Sequence, residues 1–399
     1  MRKHRWLGLI ACTVLLLAVM VSIDHIPRLK KPEIGENRVL AQKPAFARNL
    51  AELRAYPKKL DAYVADNFPA RPFFIAGINY LRYRIGYSGT PKIVVGSEGW
   101  LFYDDGSHLT GARHANPLTA GEREAWISTF VARTEQLHSN GIQYIVIAAP
   151  VKERVYNDKA PQWARNQRGD ADADVLRADA RRAGYTNLIA PREALVERRR
   201  TESGLYSPYD AHWTSLGAYV AYTKLFSTLN ELGHPVESLP LQKYFRDDEN
   251  PHDLAGLLGI SSFIRQNLPH FWQPSLEANL KVTYLTEKRD WTSARVVETG
   301  LTDKPLIQLT LDSFSTELLH FLYPHFSKLI ISHLQDGFYR EDLTSLYKPD
   351  FVVLEVIESG LRFSMSPALK PDSALQERII RTLRNHRGPN DPANRLSPR

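Results

Sequence analysis

The chain opens on a basic cluster, Arg2, Lys3 and Arg5, and then runs from Trp6 to Ile23 without a charged residue. A helix of that length covers ~27 Å, close to the hydrocarbon thickness of a bilayer. The pattern predicts a membrane anchor over 1–23, its basic end in the cytoplasm and the rest of the chain outside. Val19-Met20-Val21-Ser22 offers no clean A-x-A site, so an uncleaved anchor is expected rather than a signal peptide. Residues 24–90 read as a linker and a helical segment, with Leu50, Leu53, Leu60 and Val64 and then Ile75, Ile78, Leu81 and Ile85 at helical spacing.

The pattern changes from residue 91. Gly99-Trp100-Leu101-Phe102-Tyr103 reads as a turn and strand, and Gly121 to Asn140 as an amphipathic helix closed by Gly141. Tyr144 to Ala149 is a continuous apolar run of the kind found in strands covered on both faces. Leu306–Leu311, Lys328–Ser332 and Phe351–Ile357 repeat that pattern, with helices expected near 314–323 and 373–383. Strands alternating with helices predict an α/β fold, a three-layer sandwich around a mostly parallel sheet, over 91–386. Residues 240–300, carrying Pro and charge, read as an insertion, and 387–399 as a disordered tail.

Composition narrows the function classes. Hydrophobic residues make up 43% and charged residues 24%, ordinary for a folded protein. The net charge of +7 is modest and partly local to the two ends, without a long basic block interleaved with aromatics, so nucleic acid is not an expected partner. The single cysteine, Cys12, lies in the apolar run, which excludes intrachain disulfides, thiolate metal sites and a cysteine nucleophile. No H-E-x-x-H is present, and neither a metal nor a cofactor is expected.

In open α/β sheets the working residues stand at the carboxyl ends of strands. Ser313 follows the 306–311 strand and precedes a helix, where it is either a helix cap or a hydroxyl set among backbone N–H groups that favour developing negative charge. Asp210 and His212 lie two residues apart in Ser207-Pro208-Tyr209-Asp210-Ala211-His212-Trp213-Thr214. A carboxylate so placed fixes an imidazole tautomer, as a serine's general base requires, though a surface pair has the same spacing. Lys152, after the 144–149 strand, is placed either to meet a polar substrate or to sit solvated in a loop.

Several blocks together resemble the alginate O-acetyltransferase (AlgJ/AlgX) type of SGNH-hydrolase-like proteins. They are Gly99–Tyr103; Pro150, Lys152, Tyr156 and Pro161; Asp210-Ala211-His212-Trp213-Thr214 with Gly217-Ala218; Asp253-Leu254-Ala255; Asp312-Ser313-Phe314; and Lys348 to Glu355, in that order. The resemblance implies an SGNH-hydrolase-like fold, with Ser313 as nucleophile, His212 as base and Asp210 as its partner. It implies periplasmic transfer of acetyl groups to a polysaccharide through an acetyl-serine, by a single-pass inner-membrane protein fed by a membrane-bound O-acyltransferase. Lys152, Tyr209 and Trp213 are the expected substrate contacts, with core packing the alternative for the two aromatics, as it is for Trp100. Two departures, Leu311 where the family has Gly and Glu358-Ser359 where it has Glu-Arg, bear on the catalytic rate, and Leu311 keeps a catalytically degenerate polysaccharide-binding or scaffold protein open as a rival; a carbohydrate acetyl esterase, with water in place of the sugar, is a third reading.

Overall fold

In the computed structural model, residues 2–26, 31–32, 34, 39–106, 108–109, 117–165, 171–241, 252–264, 266, 277–366, 368 and 373–385 are described. The tail expected at 387–399 lies outside them. The chain divides into two compact units, Met1–Val95 with Glu249–Gln266, and Gly96–Asp248 with Asn267–Arg399.

The first unit is mainly helical. Its first helix covers Arg2–Ser22. Among the described residues no helix is long and apolar enough to cross a membrane. The side chains of Leu7, Leu9 and Leu16, which belong to the expected anchor, lie outside the described set. The helix Leu50–Asn67 is capped by Asn49, whose Oδ1 accepts from Glu52 N at 2.8 Å. Arg71–Arg84 follows, with a proline in its first turn, where no amide hydrogen bond is lost. Asn79 Nδ2 donates to Leu258 O (2.8 Å), and Tyr80 stacks on Phe263 at 4.6 Å. The stretch read as one insertion is therefore divided. Its Asp253–Leu257 helix belongs to this unit, which closes with strand β1 (Ile93–Val95).

The second unit has strands β2 (Leu101–Tyr103), β3 (Gln143–Ala149), β4 (Leu188–Ile189), β5 (Lys281–Tyr284), β6 (Arg295–Glu298), β7 (Leu306–Leu311), β8 (Lys328–His333) and β9 (Phe351–Ile357). Seven form one sheet in the order β4-β3-β9-β7-β8-β6-β5. The run from β4 to β8 is parallel, and β6 and β5 add antiparallel pairings at one edge. β5 and β6 both come from the stretch expected to be an insertion.

Alternation along the strands builds a core on each face. Ile145, Ile147 and Ala149 of β3, Ile307, Leu309 and Leu311 of β7, and Phe351 and Val353 of β9 pack with Leu216, Leu225, Leu318 and Leu322 of the helices Ser215–Glu231 and Ser315–Leu322. Tyr144, Val146, Ala148, Val352, Leu354 and Val356 face the other way, onto the helices Ala120–Ser139, Asp172–Arg182 and Ser373–Asn385. This is the three-layer arrangement the sequence predicts. The Ala120–Ser139 helix starts at a reciprocal cap, with Glu122 N donating to Thr119 Oγ1 (3.2 Å) and Thr119 N to Glu122 Oε2 (2.7 Å). It stops at Gly141, whose φ of 76° suits a residue without Cβ.

Candidate active site

The carboxyl ends of the central strands carry the chemistry. β7 ends at Leu311, and Asp312 and Ser313 form the turn before the Ser315–Leu322 helix. Leu311, the departure from glycine, has no positive φ and points into the core at 3% exposure. Its side chain packs in the core layer below the turn. Asp312 folds the turn: its Oδ1 accepts from Phe314 N (2.9 Å) and its Oδ2 from Ile357 N of β9 (2.7 Å). With the Phe314 amide so engaged, the Ser313 amide is the turn's donor without a partner among the described residues, and so is the one open to an oxyanion.

His212 reaches this turn from a loop 101 residues earlier. Its Nε2 lies 2.8 Å from Ser313 Oγ, and its Nδ1 lies 2.7 Å from Asp210 Oδ1. Asp210 Oδ1 also accepts from His212 N at 2.9 Å. An ionised carboxylate only accepts, so Nδ1 carries the proton and Nε2 presents its lone pair to the serine hydroxyl. The His212 and Asp210 side chains are 30% and 23% exposed, open enough to meet a substrate. The sequence-derived Ser313, His212 and Asp210 are thus in one hydrogen-bonded line.

The neighbouring residues hold that line. Trp213, expected at substrate, is 2% exposed. Its Nε1 donates to Phe314 O at 2.7 Å, and its ring meets Phe314 edge-on at 5.4 Å. It therefore ties the histidine loop to the serine turn and offers no face to a sugar. Thr214 caps the Ser215–Glu231 helix and donates to Gly204 O (2.6 Å). Gly217 is required by space, since a Cβ there would fall 2.4 Å from Leu205 O.

Lys152 is likewise not the open contact expected. It is 2% exposed, and its Nζ donates to the carbonyls of Ser207 (3.1 Å), Pro208 (3.4 Å) and Asp210 (2.6 Å). Its ammonium also lies 5.1 Å from the Phe102 ring centre and 5.7 Å from that of Trp100. Leu101 N donates to Pro208 O at 2.8 Å. The β2 strand and Lys152 therefore clamp the loop that carries Asp210 and His212. Tyr209, half-buried, is the expected substrate contact that is left at the surface of this loop.

Two carboxyl groups behind the site, Glu355 and Glu358, had no site role assigned from the sequence. Glu355, on β9, is 1% exposed and accepts from Ser315 Oγ at 2.5 Å. Burial, reinforced by the Asp312 carboxylate beside it, pushes its pKa well above the usual carboxyl range. A lone acid inside the apolar run Phe351–Ile357 was the sequence signal for it. Glu358 accepts from Val151 N (3.3 Å) and lies 3.7 Å from Arg154 Nε. Burial raises its pKa to about 7 against the opposing pull of Arg154. The arginine expected at 359 is thus absent, and another approaches Glu358 from position 154.

Residues 93–341, more than half of the chain, match the family described as SGNH hydrolase-like domain, acetyltransferase AlgX. The chain belongs to this family. Asp210, His212 and Ser313 all fall within the match, whereas Glu355 and Glu358 lie beyond it. The chain is 26% identical over 193 residues to the probable alginate O-acetylase AlgJ of Azotobacter vinelandii, covering 47% of each. It is 22% identical over 243 residues to that of Pseudomonas fluorescens, covering 59% of this chain and 57% of the relative. The chain spans about half the length of the curated relatives it matches. Among solved structures, the O-acetyltransferase domain of Pseudomonas putida AlgJ aligns over 75% of this chain and all of that one, at 18% identity and a TM-score of 0.44. Bacillus cereus PatB1 with a sulfonyl adduct aligns over 70% and 97%, at 15% identity and a TM-score of 0.49.

Proposed function

We propose that this protein is a polysaccharide O-acetyltransferase that works through a Ser313–His212–Asp210 triad and an acetyl-serine intermediate. The observation that carries the reading is the 2.8 Å approach of His212 Nε2 to Ser313 Oγ, with Asp210 on the far nitrogen. Ser313 Oγ attacks the acetyl carbonyl as its proton passes to Nε2, and the Ser313 amide meets the oxyanion. The imidazolium, stabilised by Asp210, returns the proton to the leaving group. A sugar hydroxyl then gives its proton to Nε2, attacks the acetyl-serine and releases Ser313. Water in place of the sugar would make the same site an esterase.

The relatives' names favour an alginate-like acceptor. The donor is a membrane-bound O-acyltransferase that delivers acetyl groups to the periplasmic face. An N-terminal anchor with Arg2, Lys3 and Arg5 in the cytoplasm would keep the domain in the inner membrane beside that partner and the emerging polymer. The degenerate-scaffold reading rested on Leu311, and the packing of its side chain into the core favours the catalytic reading over it.

The test is intact-mass detection of acetyl-serine after brief exposure to an activated acetyl ester, followed by transfer to an oligosaccharide. Ser313→Ala should abolish the adduct. Asp210→Asn should leave it forming slower by about 10⁴-fold, as expected when the imidazole tautomer is lost. An adduct that persists in Ser313→Ala would refute the assignment, and turnover equal with and without glycan would make the protein an esterase.

A further inference from the structure

The carboxyl edge of the sheet extends beyond Ser313. β8 lies next to β7, with His333 in register with Leu311, two residues before the serine. The indole of Trp291 stands at 90° to the His333 ring, with centroids 4.9 Å apart. His333 is 9% exposed and turned inward, but Trp291 is 52% exposed. One strand spacing, two residues along the chain, the reach of the His333 side chain and one ring-to-ring step put the indole within roughly 20 Å of the serine. The carboxylates of Asp312, beside Ser313, and Asp290, beside Trp291, both act on the His333 imidazole, which burial nonetheless keeps toward its neutral form.

The loop that carries Trp291 is rigidly built. Asp290 Oδ1 accepts from Thr292 N (3.0 Å), Thr292 Oγ1 (2.8 Å) and Ser293 Oγ (3.0 Å). Arg295 donates to the carbonyls of Trp291 (2.7 Å) and Ser293 (3.1 Å), and Leu285 N to Ala294 O (2.8 Å). His333 is itself fixed, its Nδ1 accepting from Gln335 N at 3.1 Å. The loop thus holds a large indole half out in water. A rigid aromatic loses little entropy when a flat apolar surface settles on it. The apolar face of a pyranose ring is such a surface, and glycan is what the nearby serine would acetylate.

We infer that Trp291 is a stacking platform for the polysaccharide acceptor, holding one sugar of the strand while another, a few residues further along it, lies at Ser313. This deepens the proposed function and rests on it for the identity of the ligand as a glycan. The platform sits in the 281–298 region, which the sequence gives no reason to join to the active edge.

The full chain, Trp291→Ala and Trp291→Phe are titrated by calorimetry with oligomannuronate and with a cello-oligosaccharide, as anionic and neutral probes. Hydrolysis of 4-nitrophenyl acetate is measured in parallel. Trp291→Ala should weaken binding of at least one probe by roughly threefold to tenfold, Trp291→Phe should retain most of it, and ester hydrolysis should be unchanged in both. Equal binding by wild type and Trp291→Ala, or no binding of either probe by wild type, overturns the platform. Trp291-dependent binding without any ester hydrolysis would sustain the platform and overturn the catalytic reading, so the two failures are separable.

Discussion

Lys152 donates to the backbone carbonyl of Asp210 at 2.6 Å, from a position where its ammonium is almost wholly removed from water. A buried ammonium is tolerated only when its donors are used, and here three carbonyls of one loop and two aromatic faces take them up. The charge is thus committed to the conformation of residues 207–210, which sets the angle at which Asp210 meets His212. Lys152→Met keeps the stem and deletes the ammonium. It should lower kcat for acetyl transfer by about 10–10² while leaving KM for the acceptor near wild type, because the loop and not the substrate is disturbed. A rise in KM alone, with kcat preserved, would return Lys152 to the role of a substrate contact.

Glu355 tests whether a neutral carboxyl braces the serine turn. Its Oε2 accepts from Ser315 Oγ at 2.5 Å and lies 3.4 Å from Asp312 N. If it is protonated at neutral pH, Glu355→Gln replaces it with a group of the same shape and charge. Stability should then change by less than about 1 kcal/mol in urea unfolding, whereas Glu355→Ala should cost about 2–4 kcal/mol through the cavity and the stranded Ser315 hydroxyl. Equal damage from both substitutions would show that the native group is ionised.

The central sheet was legible because its strands are covered on both faces, and so β3, β7 and β9 appear in the sequence as largely apolar runs, broken only by residues such as Gln308, Thr310 and Glu355. β5 was not, because at the edge Lys281, Val282 and Thr283 are all exposed and carry no burial pattern. β4 is two residues long, too short for any period. Asp210, His212 and Ser313 were found through motif blocks, and their meeting across 101 residues is a matter of topology. The expected substrate contacts Lys152 and Trp213 failed for one reason. Sequence shows that a polar or aromatic residue stands near the site, but whether it faces the cleft or the protein depends on what the other loops place against it. Trp213 finds Phe314 there, and Lys152 finds the carbonyls of 207–210.

Glu358 gives the stability a pH dependence of defined sign. Its pKa is raised from 4.5 to about 7 by burial, so between those values the native state holds a proton that the unfolded chain has lost. Stability from this group is fully present below pH ~4.5 and is lost as pH rises through about 7. The shift corresponds to about 3 kcal/mol at most, reduced to the extent that Arg154 relaxes toward the ionised form. Glu358→Gln removes the titration. Melting temperatures of wild type and Glu358→Gln should therefore diverge between pH 5 and 8, with the variant gaining on wild type as pH rises. Parallel curves across that window would place the ordinary pKa back on Glu358 and make Arg154 its full ionic partner.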